Sequence, residues 1–208
     1  MGGVLRRWWR LIRYTPQVRV LPARVALFHW RARIAALRAD DQFSLASATR
    51  PADMAVLLEL ADGRRHVVEL GTGTGWTALS LLLTDPERSV VTYDPIERPE
   101  RELYLRLAGA SARRRVTFVA GPGSDGPADG RGVELLYIDS EHEREATIRE
   151  FEAWRPVLHP GAIVVFDDYG NPDYPGVREA VRELGLAGEE RGTLFVYRVS
   201  PENSKTAF

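Results

Sequence analysis

The 208-residue chain contains no cysteine and a single lysine, Lys205. Without cysteine it can form neither a disulfide scaffold nor a thiolate zinc site, and it has no cysteine nucleophile. No apolar run approaches the roughly 20 residues that cross a bilayer, and arginines interrupt the N-terminus where a secretory signal needs a clean apolar stretch. Together with 44% hydrophobic and 27% charged residues, these absences favour a globular, cytoplasmic protein.

Acidic residues are missing from the first 39 positions, which contain nine arginines. The remaining chain has 19 Lys or Arg against 29 Asp or Glu, so an acidic body follows a basic arm. We interpret residues 1–48 as a basic helical arm or lid, 49–200 as the main domain and 201–208 as a flexible tail. Helical spacing predicts helices over 4–13 and 23–38 and a third from Pro51, capped by Thr49.

The basic arm permits three interpretations. We favour an arm that packs on the acidic domain, or on a second subunit of a homodimer, as part of a substrate lid. It could instead lie on an anionic membrane as an amphipathic helix, with Trp8 and Trp9 at the interface, which would make the protein peripheral. Arginines beside aromatic residues can also bind nucleic acid, although the acidic body argues against a broad nucleic-acid surface.

From residue 64 onward, short apolar strands alternate with helical segments. The spacing predicts helices over 75–84, 99–109, 141–154 and 177–184, and strands over 66–70, 89–93, 115–120, 133–138, 162–166 and 193–199. This alternation predicts an α/β fold with a doubly wound, Rossmann-like sheet that is mostly parallel and has an antiparallel last strand. Ligands of such sheets bind at the carboxyl ends of the strands.

A glycine-rich loop joins the first of these strands to the next helix, with the sequence ELGTGTGW over residues 69–76. Glycines let the backbone adopt positive φ and approach a ligand closely, as a nucleotide-like ligand requires. The third glycine comes one residue too early for the dinucleotide pattern, and an acid before the glycines suits a cationic ligand better than a pyrophosphate. The predicted cofactor-binding residues here are Glu69, Gly71, Thr72, Gly73, Gly75 and Trp76.

Acidic residues follow three further strands. Asp94 ends the second strand at the spacing of an acid that accepts hydrogen bonds from ribose hydroxyls. Asp139 ends the fourth strand, and Asp167 and Asp168 end the fifth. Neighbouring strands lie about 4.8 Å apart, so these last three carboxylates converge and repel each other unless a cation or protons intervene. Hard oxygen ligands of this kind suit Mg²⁺.

The pattern E-x-G-x-G-x-G resembles motif I of the class I S-adenosylmethionine-dependent methyltransferases. The segment YIDSEH at 137–142, with DDY at 167–169 and PGVR at 175–178, resembles the methyltransferase-24 type family. It is also similar to macrocin-type sugar O-methyltransferases and to the cephalosporin-hydroxylase-related group. The family pattern is D-G-x-H followed by an acidic pair, and Ser140 stands here in place of the glycine. The resemblance covers about residues 44–185.

The resemblance implies a reaction and assigns residues to it. S-adenosylmethionine would be held by the glycine loop, Asp94 and Asp139, with Ser124 or Asp125 at the adenine. Mg²⁺ would be held by Asp139, Asp167 and Asp168, while His142 would act as general base in a catalytic pair with Asp139. The expected reaction is Mg²⁺-dependent O-methylation of a small molecule such as a sugar, a phenol or a secondary metabolite. The alternatives are an RNA methyltransferase that uses the arm and a non-catalytic, cofactor-binding partner protein at a membrane or in a complex.

Overall fold

A computed structural model describes residues 11–127 and 131–200 of the chain. Seven strands form one sheet in the order β3-β2-β1-β4-β5-β7-β6. Their bounds are β1 His66–Leu70, β2 Ser89–Asp94, β3 Val116–Ala120, β4 Val133–Ile138, β5 Leu158–Phe166, β6 Gly188–Arg191 and β7 Leu194–Arg198. Strands β1 to β5 pair in parallel, and β7 runs antiparallel to β5. The predicted mostly parallel sheet with an antiparallel last strand is confirmed.

Helices flank this sheet and precede it. Their bounds are α1 Ala23–Ala39, α2 Gln42–Ser47, α3 Pro51–Leu60, α4 Trp76–Thr84, α5 Glu100–Ala108, α6 Ala110–Arg113, α7 Arg144–Trp154 and α8 Pro175–Glu183. Prolines are the first residues of α3 and α8. At this position the backbone N–H has no partner within the helix, so its absence costs no hydrogen bond. Across the described ranges, none of the helices is long and apolar enough to cross a membrane.

Several predicted boundaries move when the chain folds. The helix predicted over 141–154 begins only at Arg144, so His142 lies in the turn that precedes it. Helix α2 is not predicted at all. Arg50, not Thr49, is the N-cap residue of α3, and the Thr49 hydroxyl bonds Thr77 Oγ1 at 2.8 Å instead. Most of the helix predicted over 4–13, and the tail 201–208, lie outside the described residues.

The described part of the basic arm packs on the domain through α1 and α4. A buried chain of hydrogen bonds links the Tyr14 hydroxyl to His29 Nδ1 and His29 Nε2 to the Ser80 hydroxyl, each at 2.9 Å. Burial lowers the pKa of His29 to about 4, with Arg33 adding to the effect, so the ring is neutral at pH 7. The Trp76 ring packs edge-on against His29 at 5.7 Å, which closes this contact.

The strand register aligns the loops that follow the central strands. Leu70 of β1 pairs with Ile138 of β4, and Ile138 pairs with Phe166 of β5. The next residue of each strand, namely Gly71, Asp139 and Asp167, therefore emerges at the same edge of the sheet. The glycine loop and the acidic residues are brought together in this way.

Candidate active site

The carboxyl ends of the central strands open into a cavity of about 630 Å³. This volume lies within the range of small-molecule and cofactor sites. The lining has two parts. We call the glycine loop, Asp94 and the turn at 122–124 the first wall, and Asp139, His142 and Asp168 the second wall. Residues 46–50, at the end of α2 and directly after it, also line the cavity. A single cavity thus joins the predicted cofactor residues to the predicted catalytic residues.

The glycine loop takes a shape that only glycine permits at Gly71. Its φ is +101°, and a Cβ at this position would lie 1.8 Å from the backbone oxygen of Asp139. At the end of the loop, Gly75 caps α4 in the left-handed conformation with φ +86°. The loop is thereby held against the end of β4, and its backbone faces the cavity at Gly71 and Gly73.

Asp94 lies on the cavity wall, where its carboxylate already has three partners. It accepts hydrogen bonds from the backbone N–H groups of Gly73 at 2.8 Å and Ile96 at 2.7 Å. Its Oδ2 also lies 3.0 Å from the Arg101 guanidinium, which in turn donates to the Gly73 carbonyl. Asp94 is thus fixed at the edge of the glycine loop, in the place expected of a ribose ligand.

Four predicted cofactor residues do not line the cavity, namely Glu69, Thr72, Gly75 and Trp76. Glu69 is buried and accepts a hydrogen bond from Thr92 Oγ1 at 2.5 Å, while Thr72 bonds the same threonine at 2.6 Å. Burial raises the pKa of Glu69 to about 8, against the opposing hydrogen bond from Thr92. Trp76 packs edge-on against Tyr104 at 5.2 Å. In this structure these residues support the loop, and their contact with a cofactor stays a prediction.

His142 lies between two carboxylates on the opposite wall. Its Nε2 is 3.2 Å from Asp168 Oδ2 and 3.7 Å from Asp139 Oδ1, and the Tyr174 ring stacks on the imidazole at 4.1 Å. Burial acts to lower the pKa of His142, but its contacts with Asp139 and Asp168 raise it to about 10. The ring is therefore a cation at neutral pH in this arrangement.

The third carboxylate of the rim, Asp167, is almost fully buried. Burial and the charges of Asp139 and Asp168 raise the pKa of Asp167 well above its usual range. The positive charge of His142 relieves the expected repulsion among the three carboxylates, and the raised pKa of Asp167 acts in the same direction.

The rim has the chemistry of a Mg²⁺ site but not its arrangement. Three carboxylates meet there, as hard-cation binding requires. Within residues 11–127 and 131–200, however, no three Asp, Glu or His side chains are placed to hold a metal ion. His142 occupies the place between Asp139 and Asp168 that a metal cation would take in order to compensate the charge of these two carboxylates. In this arrangement the positive charge of His142 therefore stands in the place of a metal ion.

One functional candidate that the sequence did not reveal is Glu150 of α7. Its buried carboxylate borders the cavity and contacts the Ser140 hydroxyl at 2.6 and 2.5 Å. A Cβ added at Gly123 would lie 2.9 Å from Glu150 Oε1, which places the carboxylate beside the predicted adenine loop. Ser124 of the same loop lines the cavity. Burial raises the pKa of Glu150 to about 7, against the hydrogen bond from Ser140.

The end of the cavity beside the glycine loop has an aromatic and basic lining, and the Phe43 ring lies 3.4 Å from the position that a Cβ would take at Gly73. Phe43 of α2 lies under the Arg98 guanidinium, which is 3.5 Å from the ring centroid. Arg50 donates to Asp53 Oδ2 at 2.8 Å and to Thr193, which ties the loop before α3 to the start of β7. The unpredicted α2 is the reason that sequence reasoning missed this end of the cavity.

This fold and cavity define a class of protein, a Rossmann-like methyltransferase domain. The sequence profile of a family described as "Methyltransferase domain" matches residues 68–169, about half of the chain. The chain belongs to this family, in agreement with the resemblance noted above.

Curated relatives and a solved structure agree with this assignment. A ribosomal RNA small subunit methyltransferase G of Frankia casuarinae is 30% identical over 116 residues, 53% of this chain and 42% of that protein. A probable O-methyltransferase of Mycobacterium tuberculosis is 29% identical over 151 residues, 66% of this chain and 59% of that protein. The chain thus spans about half the length of these relatives. The fold matches an O-methyltransferase from Bacillus cereus in complex with S-adenosylhomocysteine, at TM-score 0.66 and 16% identity over 80% of this chain and 89% of that one.

Proposed function

We propose that this protein transfers the methyl group of S-adenosylmethionine to a hydroxyl oxygen of a small molecule. The observation that carries the proposal is the single cavity that joins the glycine loop and Asp94 to His142, Asp139 and Asp168. A methyl donor bound along the first wall has its reactive end near the second. The O-methyltransferase relative and the O-methyltransferase fold match favour oxygen as the acceptor.

The first wall supplies the groups that an adenosine-type cofactor needs. Asp94 accepts hydrogen bonds from the ribose hydroxyls, and Gly71 and Gly73 let the backbone approach the methionine part of the cofactor. Glu150 has a single described donor, the Ser140 hydroxyl, for its two carboxylate oxygens. A buried carboxylate with spare acceptor capacity suits the exocyclic amino group of adenine, which Glu150 would share with Ser124.

The second wall supplies a proton acceptor. As the methyl group moves from sulfur to oxygen, the sulfur keeps the electrons of the broken bond and the hydroxyl loses its proton. His142 lines the cavity and takes that proton, and Asp139 and Asp168 stabilise the imidazolium that forms. In the ligand-free arrangement His142 already holds a proton, so it must lose this proton before the reaction begins.

The part of the lining beside His142 favours a small acceptor with an apolar or aromatic part. Tyr174, whose ring stacks on His142, is 41% exposed on this lining. A sugar or phenol ring can pack against Tyr174 while its hydroxyl points to His142. The acceptor class stays part of the proposal.

Mg²⁺ dependence is a separate part of the proposal, and the clustered carboxylates of the rim support it. Asp139, Asp167 and Asp168 are the residues that would hold the ion, and His142 would have to leave its place between Asp139 and Asp168 to admit it. A bound divalent cation supplies Lewis-acid chemistry that acidifies a hydroxyl group. We expect chelation with EDTA to lower turnover by at least tenfold, and added Mg²⁺ to restore it. Full turnover in EDTA would remove the metal from the proposal and leave methyl transfer intact.

Calorimetric titration with S-adenosylhomocysteine tests the cofactor first. We expect micromolar binding by the native protein and at least tenfold weaker binding by Asp94→Ala, because the ribose loses its acceptor. The exposed Asp173→Ala variant is the matched control. If the native protein does not bind S-adenosylhomocysteine, the proposed function is wrong.

Turnover with a panel of sugars, catechols and other phenols tests the second wall. His142→Ala should lower kcat by roughly 10²- to 10⁴-fold, the usual contribution of a general base. Its affinity for S-adenosylhomocysteine should be unchanged. Equal kcat in the variant and the native protein would show that another group takes the proton.

RNA methylation is the second candidate function, since one relative is a ribosomal RNA methyltransferase. The acidic excess after residue 39, 29 Asp or Glu against 19 Lys or Arg, opposes a broad RNA-binding surface. Methyl incorporation into total RNA, with no incorporation into the hydroxyl panel, would favour this second function.

A further inference from the structure

The solvent-facing side of α1 carries an apolar and basic surface. Arg24, Arg31 and Arg38 recur every seven residues, and Leu27 and Trp30 beside them are 56% and 38% exposed. At 3.6 residues per turn, these five side chains fall within about one third of the helix circumference. We call this surface the α1 face.

The segment before α1 has the same chemistry. Ile12 and Val20 are 62% and 60% exposed, and the exposed Arg13 and Arg19 stand next to them in the chain. In the part of the chain that the structure describes, neither these two arginines nor the three of the α1 face form an ion pair. Positions 11–39 contain no acidic residue, so nothing within this segment neutralises the charge.

We propose that the α1 face docks on the surface of an anionic phospholipid bilayer. Arginine side chains bind lipid phosphates while Leu27 and Trp30 enter the boundary between headgroups and acyl chains, which is how amphipathic helices lie on membranes. Each basic side chain near such a surface strengthens binding roughly fivefold. The −10 charge of residues 40–208 is repelled by the same lipids, so the protein presents this face and no other.

Charge decides against the other occupants of the α1 face. In a symmetric dimer through this helix, arginines of one copy would meet arginines of the other, because a twofold interface uses the same patch on both subunits. A nucleic acid would pair with the arginines but would leave Leu27, Ile12 and Val20 without an apolar environment. A bilayer surface satisfies both kinds of side chain.

Vesicle co-sedimentation of the full chain tests the charge. We expect binding to vesicles of phosphatidylcholine with phosphatidylglycerol, and little binding to phosphatidylcholine alone. The triple variant Arg24→Glu/Arg31→Glu/Arg38→Glu should lower the partition coefficient at least about a hundredfold, from roughly fivefold per charge. Raising the salt concentration should weaken binding of the native chain, since exposed charges are screened.

A second triple variant controls for the change in net charge. Arg114, Arg155 and Arg182 are exposed arginines away from α1, and their replacement by Glu changes the total charge by the same amount. We expect this control to bind the vesicles within about threefold of the native chain. S-adenosylhomocysteine binding and thermal unfolding, measured on both variants, show whether each one is folded.

The apolar part is tested by Leu27→Ala/Trp30→Ala, which keeps every charge. We expect roughly tenfold weaker partitioning, because part of the buried apolar area is lost. The proposal is overturned if native protein does not bind the anionic vesicles, or if both charge variants lose binding equally. It is also overturned if the α1 face binds single-stranded RNA, or pairs with a second copy in sedimentation velocity, while it ignores the vesicles.

Discussion

Glu150 shows how a single residue acquires a functional environment from three separate parts of the chain. It lies on α7, its partner Ser140 follows β4, and Gly123 belongs to the turn after β3. In the family pattern a glycine occupies the position of Ser140, so the serine hydroxyl is an addition that gives the buried carboxylate a donor. This hydroxyl has one proton to share between two carboxylate oxygens, so the carboxylate keeps acceptor capacity for a ligand.

We expect Glu150→Ala to weaken S-adenosylhomocysteine binding about tenfold, because a buried charge-assisted hydrogen bond to the adenine amino group is lost. The same variant should discriminate less between this compound and S-inosylhomocysteine, which has a carbonyl in place of the amino group. Calorimetric titration of both ligands measures the effect. Glu152→Ala, an exposed change on the same helix, is the control. An unchanged preference for the amino group would remove Glu150 from the adenine site.

Glu69 predicts a pH dependence of stability. Burial raises its pKa from the ordinary 4.5 to about 8, so the folded chain holds this proton more tightly than the unfolded chain does. The corresponding stability is fully present below pH 4.5 and is lost as the pH rises toward 8. Glutamine cannot ionise, so Glu69→Gln should not lose this stability as the pH rises. From pH 4.5 to 8 the variant should therefore become more stable relative to the native protein.

Urea unfolding at a series of pH values measures the Glu69 effect. Glu87 is exposed and forms an ion pair with Arg65, which is exposed as well. Glu87→Gln is therefore a matched control that should leave the pH profile of stability unchanged. If Glu69→Gln and the native protein have parallel profiles from pH 5 to 8, the carboxyl of Glu69 is ionised in the folded state.

Among the elements, α2 has only six residues but is hydrogen-bonded to the glycine loop. Asp41 caps it, accepting hydrogen bonds from Ser44 N at 2.9 Å, Ser44 Oγ at 2.6 Å and the Tyr104 hydroxyl at 2.6 Å. Burial acts to raise the pKa of Asp41, but these donors hold it below its usual range. Ser44 in turn bonds Thr74 of the glycine loop at 2.7 Å.

We expect Asp41→Ala to lower the free energy of unfolding by about 1–2 kcal/mol, since the cap of α2 and the Tyr104 hydrogen bond are lost together. Because the pKa of Asp41 is depressed, its contribution is present above the ordinary pKa of Asp and is lost as the pH falls further. Chemical denaturation at pH 7 and pH 3 measures both effects. Asp62→Ala, after α3, should change stability by less than about 0.5 kcal/mol.

The sequence predicted elements well where one physical signal dominates. The strands β1, β4 and β5 are apolar runs that end in glycine or acid, since parallel strands are buried on both faces and their ends meet a ligand. Helix α2 has only six residues, too few for a helical period, so its cap Asp41 could not be distinguished from a turn residue. The position of Asp94 on the cavity wall followed from its place after a strand.

The charge states of the site could not be predicted from sequence spacing. The distance from Asp139 to His142 along the chain suggested a base at a helix start, but only the fold shows that Asp168 lies on its other side. Glu69 and Trp76 lie behind the loop because other segments of the chain pack around their side chains, and sequence spacing does not show this packing. Such facts arise from tertiary contacts between segments far apart in the chain.

At the scale of the whole molecule, the arm and the glycine loop form one connected structure. The path runs from α1 to Asp41, then to Ser44 and Thr74. We expect a cofactor that stabilises the loop to stabilise the arm as well, because this hydrogen-bonded path connects the two. We expect S-adenosylhomocysteine to slow hydrogen exchange in α2 and in the last turn of α1.

Hydrogen exchange with mass spectrometry measures this coupling, with α8 as the internal reference. The Ser44→Ala variant should bind S-adenosylhomocysteine but transmit less protection to α1, because its hydroxyl no longer reaches Thr74. Equal protection of α1 in the variant and the native protein would show that the two regions are stabilised separately.

The close contact between Gly71 and the backbone oxygen of Asp139 has a consequence for how such an enzyme can evolve. The wall for the methyl donor and the wall for the proton acceptor meet backbone to backbone at the ends of two paired strands. Their separation is therefore a property of the sheet and is insensitive to exchanges of side chains around the cavity. Under the proposed function, acceptor choice lies instead with side chains of the lining beside His142, such as Tyr174, so new acceptors can be acquired by substitutions there while the chemistry is inherited unchanged.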